Sequence, residues 1–123
     1  MELNRYFFDS YAIIEILDGN QNYAKFSNEP VIITLFNLAE IYWFCINEYE
    51  EFKANEIYSK YKQAIMSISD DILKEAMKFR KEHKKQDLSY TDCIGYIFAK
   101  KNNLIFLTGD KEFEKMENVE FVK

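Results

Sequence analysis

The amino-acid sequence predicts an α/β layered fold around a mostly parallel central sheet. Three observations lead there. Short apolar runs alternate with segments of helical periodicity through almost the whole chain, the pattern of strands joined by helical crossovers. Only three Gly and one Pro interrupt the 123 residues, so neither a linker nor a repeat divides the chain. Two apolar runs, "YFFD" and "LIFLTGD", end on an aspartate, where the carboxyl edge of a parallel sheet would lie.

The elements follow in order. Residues 5–8 read as a short buried strand. A helix is expected over 10–18, with Ala12, Ile13, Ile16 and Leu17 at helical spacing. "DGNQN" stops it, with Gly19 suited to a left-handed cap. After Pro30, "VIIT" reads as a second strand over 31–34, followed by a helix over about 36–49. A charged amphipathic helix covers about 51–65, and "AIMSIS" reads as a short strand or an extended bridge. Ser69-Asp70-Asp71 opens a helix to about Lys84, acidic at its start and basic at its end, as the helix dipole favours. Ser89 opens another to about Lys101. "NNLIFLTGD" supplies a turn and a strand over 104–108. A short helix from Lys111 and a strand over 119–122 close the chain.

Composition bounds the class. With 48% hydrophobic and 30% charged residues, the chain is a folded domain rather than a disordered one, and one domain over 1–123 is expected. Its 11 Phe, 9 Tyr and single Trp point to an interface as well as a core. Two distant cysteines, Cys45 and Cys93, and one histidine nearly exclude a Cys/His zinc site and suit reduced thiols. Charge begins at Glu2 with no apolar leader, which predicts a cytoplasmic protein. The longest apolar-rich run, 31–46, contains Glu40 and is too short to span a bilayer. A net charge of −5 argues against nucleic acid on bulk charge, but does not say where the charges lie.

Four acids stand in telling places. Asp9 and Asp110 each follow a strand, where an aspartate is also a good helix N-cap. Glu40 is the only charge between residues 31 and 46, on a stripe with Thr34 and Asn37, so its carboxylate is partly buried or the stripe reaches solvent. Asp92 forms a capping-box pattern with Ser89 at the start of an apolar helix. Clustered carboxylates repel and need neutralising, usually by a divalent cation, and Mg²⁺ or Mn²⁺ suits an all-oxygen donor set.

"RYFFDSYAII", "TLFNLAEIYW" and "LSYTDCIGYIFAKKNNLIFLTGDKEF" together resemble the PIN domain, in particular the VapC-like ribonucleases of toxin–antitoxin pairs. The resemblance covers essentially the whole chain. It implies a three-layer α/β/α fold and a metal-dependent endoribonuclease using Mg²⁺ or Mn²⁺. The family's four acids match Asp9, Glu40, Asp92 and Asp110, and its neighbouring small polar residues match Ser10 and Thr108. Glu15, one helical face along from Asp9, has no assigned part. The implied chemistry is attack on phosphorus by a metal-activated water. A small antitoxin and a homodimer are the implied protein partners. Of the basic run near the end of the 69–84 helix, Arg80, Lys81, Lys84 and Lys85, with Lys111 beyond, could touch RNA phosphates; a solvated helix end explains the same run. His83 reads as an exposed member of it.

Rival classes lack their signatures. A haloacid-dehalogenase-type phosphatase needs a second aspartate two residues after Asp9, where Tyr11 stands. A response-regulator receiver needs paired acids after the first strand, which "DSYA" does not supply. A PIN-like module that binds RNA or protein without cleaving, and a stand-alone RNA-processing nuclease, are the alternatives the sequence leaves open.

Overall fold

A computed structural model describes residues 5–123. Three parallel strands, β1 (Tyr6–Phe8), β2 (Ile105–Thr108) and β3 (Val119–Phe121), lie side by side in that order. The helices α1 (Ser10–Leu17), α2 (Leu35–Glu48), α3 (Glu51–Lys62), α4 (Asp70–Glu82) and α5 (Tyr90–Lys101) all fall between β1 and β2. The first and last thirds of the chain therefore meet in the middle of the sheet.

The pleat sorts the strand residues into two cores. Phe7 pairs with Phe106, and both face the layer of α4 and α5, against Ala76, Ile94, Tyr96 and Phe113. Phe8 pairs with Leu107, and both face α1, α2 and α3, against Ala12, Ile13, Ile41 and Tyr61. Side chains on a strand alternate between faces, so two adjacent apolar residues on each strand serve two helical layers. The result is the three-layer α/β/α arrangement that the family resemblance implies. Gly95 lets α5 lie close on the sheet: a Cβ there would come within 2.7 Å of the Phe7 ring.

The local signals behave as their chemistry dictates. Gly19 ends α1 at φ +78°, and Asn103 follows α5 at φ 57°. Ser69 accepts from the Ile72 N–H at the start of α4.

Two expectations need correction. Residues 31–34 do not form a full strand. Ile33 makes one parallel bridge to Ile65, and the Phe8 N–H donates to the Ile32 carbonyl at 3.0 Å, so the segment only extends the sheet beside β1. Pro30 precedes it and Thr34 already caps α2, which leaves too few residues for a ladder. The helix expected over 51–65 stops at Lys62, because Ile65 is taken by that bridge. A 3₁₀ segment, Gln21–Phe26, was not anticipated; it buries Tyr23 and Phe26 beneath α1.

Cys45 and Cys93 are buried, unpaired and in different cores. Among the described residues, no helix is long and apolar enough to cross a membrane.

Candidate active site

Asp9, Glu40, Asp92 and Asp110 line one pocket of about 510 Å³ at the carboxyl edge of the sheet, together with Ser10, Tyr11, Ile14, Trp43, Phe44 and Asn47. Each acid arrives from a different element. Asp9 is the residue after β1, and its N–H extends the parallel ladder to the Leu107 carbonyl. Glu40 projects from the second turn of α2, and Asp92 from the first turn of α5. Asp110 follows β2 after Gly109.

Their hydrogen bonds separate capping from other roles. Asp9 occupies the N-cap position of α1 but makes no side-chain cap bond. Its Oδ2 instead accepts the Thr108 hydroxyl at 2.6 Å, and Thr108 Oγ1 in turn accepts from the Asp110 N–H at 3.0 Å. One buried hydroxyl thus ties the two strand-end acids together. Glu40 Oε1 accepts from Ser10 Oγ at 2.6 Å. Asp92 does complete the capping box, its Oδ2 accepting from the Ser89 N–H at 2.9 Å. Asp110 Oδ1 accepts from the Glu112 N–H at 3.0 Å and so caps the short 3₁₀ turn Lys111–Phe113. Among the described residues, the second oxygens of Asp9, Glu40 and Asp110 accept no hydrogen bond.

The electrostatics are those of like charges crowded together. Asp9 is only 3% exposed. Burial, then the Asp92, Glu40 and Asp110 charges, lift its carboxyl to about 8 against the pull of the Thr108 hydroxyl. Asp92 rises to about 6, chiefly by burial, with Asp110 and Glu40 adding to it and the Ser89 donors opposing. No lysine or arginine figures among the charges acting on either acid. A cation from outside is what such a cluster lacks.

An all-carboxylate donor set suits a hard divalent ion. Among the described residues, no three acidic, histidine or cysteine side chains close around a common point as ligands. The site is an open pocket rather than a cage.

Other sequence-singled residues lie elsewhere. None of Arg80, Lys81, Lys84, Lys85 or Lys111 lines the acidic pocket. Arg80 is half-buried: its Nε donates to the Leu88 carbonyl at 3.1 Å and its guanidinium lies 4.2 Å from the centre of the Tyr90 ring, so it braces the turn between α4 and α5. Lys81, Lys84, Lys85 and Lys111 are exposed. Lys111 borders a second cleft with His83 and Gln86. His83 is half-buried, not exposed, because its ring stacks 4.1 Å from Phe79. Glu15 accepts from Asn20 Nδ2 at 2.6 Å and takes no part in the pocket. Sequence reasoning missed the pocket's aromatic wall. Trp43 is 68% exposed, three residues after Glu40 and hence on the same helical face, the spacing that could have revealed it.

A family model described as PIN domain matches residues 6–119. Among solved structures, the chain is similar to one in a toxin–antitoxin complex from Klebsiella pneumoniae, with 22% identity and a TM-score of 0.74 over 94% of this chain and 95% of that one. It is also similar to VapC20 of Mycobacterium tuberculosis, described as a toxin that cleaves the sarcin–ricin loop, with 15% identity and a TM-score of 0.76 over 96% of this chain and 99% of that one. A third is VapBC2 of Rickettsia felis bound to a DNA fragment from its promoter, with 15% identity and a TM-score of 0.70 over 96% of this chain and 98% of that one. No curated protein sequence matches the chain. At these identities the likeness to solved structures establishes a shared fold, and chemistry has to be argued from the residues.

Proposed function

The chain belongs to the PIN-domain family, and from that membership we propose that it is a divalent-metal-dependent endoribonuclease of the VapC toxin type, acting through Asp9, Glu40, Asp92 and Asp110. The observation that carries this reading is Asp9 itself. A buried carboxylate at an N-cap position that does not cap, facing three other acids without an internal cation, is costly to ionise unless a ligand offsets its charge.

Asp9 and Glu40, with Asp92 and Asp110 across the pocket, are the residues that would hold Mg²⁺ or Mn²⁺. When bound, such an ion supplies an activated water and offsets charge on the phosphate. The protein's own residues supply orientation. Thr108 pins Asp9, Ser10 pins Glu40, and the Ser89 N–H pins Asp92, so each carboxylate is aimed before any ligand arrives. The exposed Lys81, Lys84, Lys85 and Lys111 are available for phosphate contacts outside the pocket; Arg80 is committed to Tyr90 and Leu88.

Leu35, Phe36, Trp43 and Ile46 are exposed on α2, with Trp43 in the pocket's wall, and such apolar residues suit a protein partner. Either a small antitoxin or a second copy of the chain fits it. One structural relative is described as part of a toxin–antitoxin complex, which favours the antitoxin.

The deciding experiment pairs a calorimetric Mn²⁺ titration with cleavage of a mixed RNA pool, with and without chelator. Uptake of Mn²⁺ and chelator-sensitive cleavage are expected. Cleavage that survives thorough chelation would remove the metal-dependent reading, and Mn²⁺ uptake without cleavage of any RNA would favour a non-catalytic binding module.

A further inference from the structure

A buried chain of hydrogen bonds joins the start of α2 to Glu40, and its direction can be worked out from donor and acceptor chemistry alone. Asn37 is fully buried. Its Oδ1 lies 2.9 Å from the Thr34 backbone nitrogen, which can only donate, so the amide oxygen faces Thr34. Thr34 Oγ1 donates to the same oxygen at 2.9 Å. The Asn37 amide NH₂ therefore faces the other way and donates to Ser10 Oγ at 3.0 Å. Ser10 has a single hydroxyl hydrogen. Having accepted from Asn37, it gives that hydrogen to Glu40 Oε1 at 2.6 Å.

We propose that Asn37 is a positioning residue of the acidic site: acting through Ser10, it holds Glu40 by one oxygen and leaves the other for the metal. The inference rests on the reading that these carboxylates take a divalent ion. Asn37 also serves the capping box of α2, but the cap uses only its oxygen. The amide NH₂ is not needed there, and its one acceptor is Ser10. Two roles thus occupy opposite ends of one planar group. Helix α2 cannot be capped by this side chain without also setting the Ser10 hydroxyl. Without the Asn37 donor, no other hydrogen bond among the described residues fixes that hydroxyl toward Glu40.

The test is a cycle of Asn37→Leu, Ser10→Ala and the double variant, read by Mn²⁺ affinity in calorimetry and by melting in chelator. Each single change is expected to weaken Mn²⁺ binding by about tenfold, the low end for groups that orient metal ligands. The double variant is expected to bind no more weakly than the worse single variant, because both act on Glu40 through one hydroxyl. Asn37→Leu should in addition lower the melting temperature through the lost cap. Where Asn37→Leu gives no cooperative melt, Asn37→Thr takes its place, since a threonine hydroxyl can still serve the cap but is too short to donate to Ser10. An unchanged Mn²⁺ affinity with only a lower melting temperature overturns the inference and leaves Asn37 as a cap. So does a loss of affinity that persists undiminished in the Ser10→Ala background. In both cases the parent still binds Mn²⁺, so the metal reading stands. A parent that takes up no Mn²⁺ removes the metal reading and this inference together.

Discussion

Thr108 donates its hydroxyl hydrogen to Asp9 across 2.6 Å, and Asp9 in turn leaves the free N–H groups of α1 uncapped. The strand-end aspartate is thus held for the pocket and not for its helix. Asp9→Asn keeps the size and a hydrogen-bonding oxygen while removing the charge. The metal-free variant is expected to melt at or above the parent's temperature above about pH 8, where folded Asp9 is ionised among like charges. Mn²⁺ uptake and RNA cleavage are expected to fall to background. Full cleavage by the variant would return Asp9 to a purely structural role.

The same burial makes the metal-free protein sensitive to pH. Folded Asp9 keeps its proton up to about 8 and Asp92 up to about 6, whereas unfolded aspartates release theirs near 3.8. The folded state binds more protons across that interval. The stability contributed is therefore complete below about pH 4 and is lost as pH rises through the folded values. Chelated protein is expected to melt higher at about pH 5.5 than at about pH 8.5, and Asp9→Asn to flatten the slope. A parent whose melting temperature climbs over this range would contradict the assignment.

Thr108→Val tests the tie between the two acids. Thr108 is fully buried, and its hydroxyl both donates to Asp9 and accepts from the Asp110 N–H. Its loss is expected to cost about 1–3 kcal/mol in denaturant melts, the penalty for a buried group left without a partner. Because the hydroxyl favours ionised Asp9, Mn²⁺ binding should also shift to higher pH. An unmoved pH profile of Mn²⁺ affinity would show that the bond does not act on the site.

Gly95→Ala probes the fold away from the acids. The added Cβ would stand 2.7 Å from Phe7 Cε1 and 3.3 Å from Phe106 Cε1, two fully buried rings that stack on each other. Overpacking of this kind costs about 1–3 kcal/mol. Denaturant melts should show that loss, and a variant as stable as the parent would mean that α5 can move off the sheet cheaply.

Lys84, Lys85 and Lys111 are exposed and do not line the acidic pocket. If they meet RNA phosphates, changing all three to Gln should weaken RNA binding and reduce its dependence on salt, by about 0.7 in log–log slope for each phosphate no longer neutralised. Binding of a non-cleavable oligonucleotide measured over a range of salt decides this. An unchanged slope would leave them as a solvated helix end and turn.

How much of this was legible in the chain differs from residue to residue. Alternating apolar runs and helical periods were enough for the layered parallel fold, because they follow from the local geometry of strands and helices. The four acids could be picked out because each interrupts an apolar context or ends a strand. What the chain could not say is which of them caps. Asp9 and Asp110 carry equally good N-cap signals, yet only Asp110 makes the bond, since Thr108, ninety-nine residues along the chain, draws the Asp9 carboxylate away. The strand expected over 31–34 shrank to one bridge for a similar reason: its partner is Ile65, and pairing at that distance leaves no local trace. Arg80 looked like one cation in a run until Tyr90 and Leu88 were found to hold it. Asn37 shared a visible stripe with Glu40, but its link to Ser10 exists only because α1 and α2 pack side by side. Residue type and spacing along the chain determined which groups were available. Contacts between distant segments, which bury a carboxylate or supply its donor, decided what each group does, because burial and hydrogen-bond partners are properties of the assembled core.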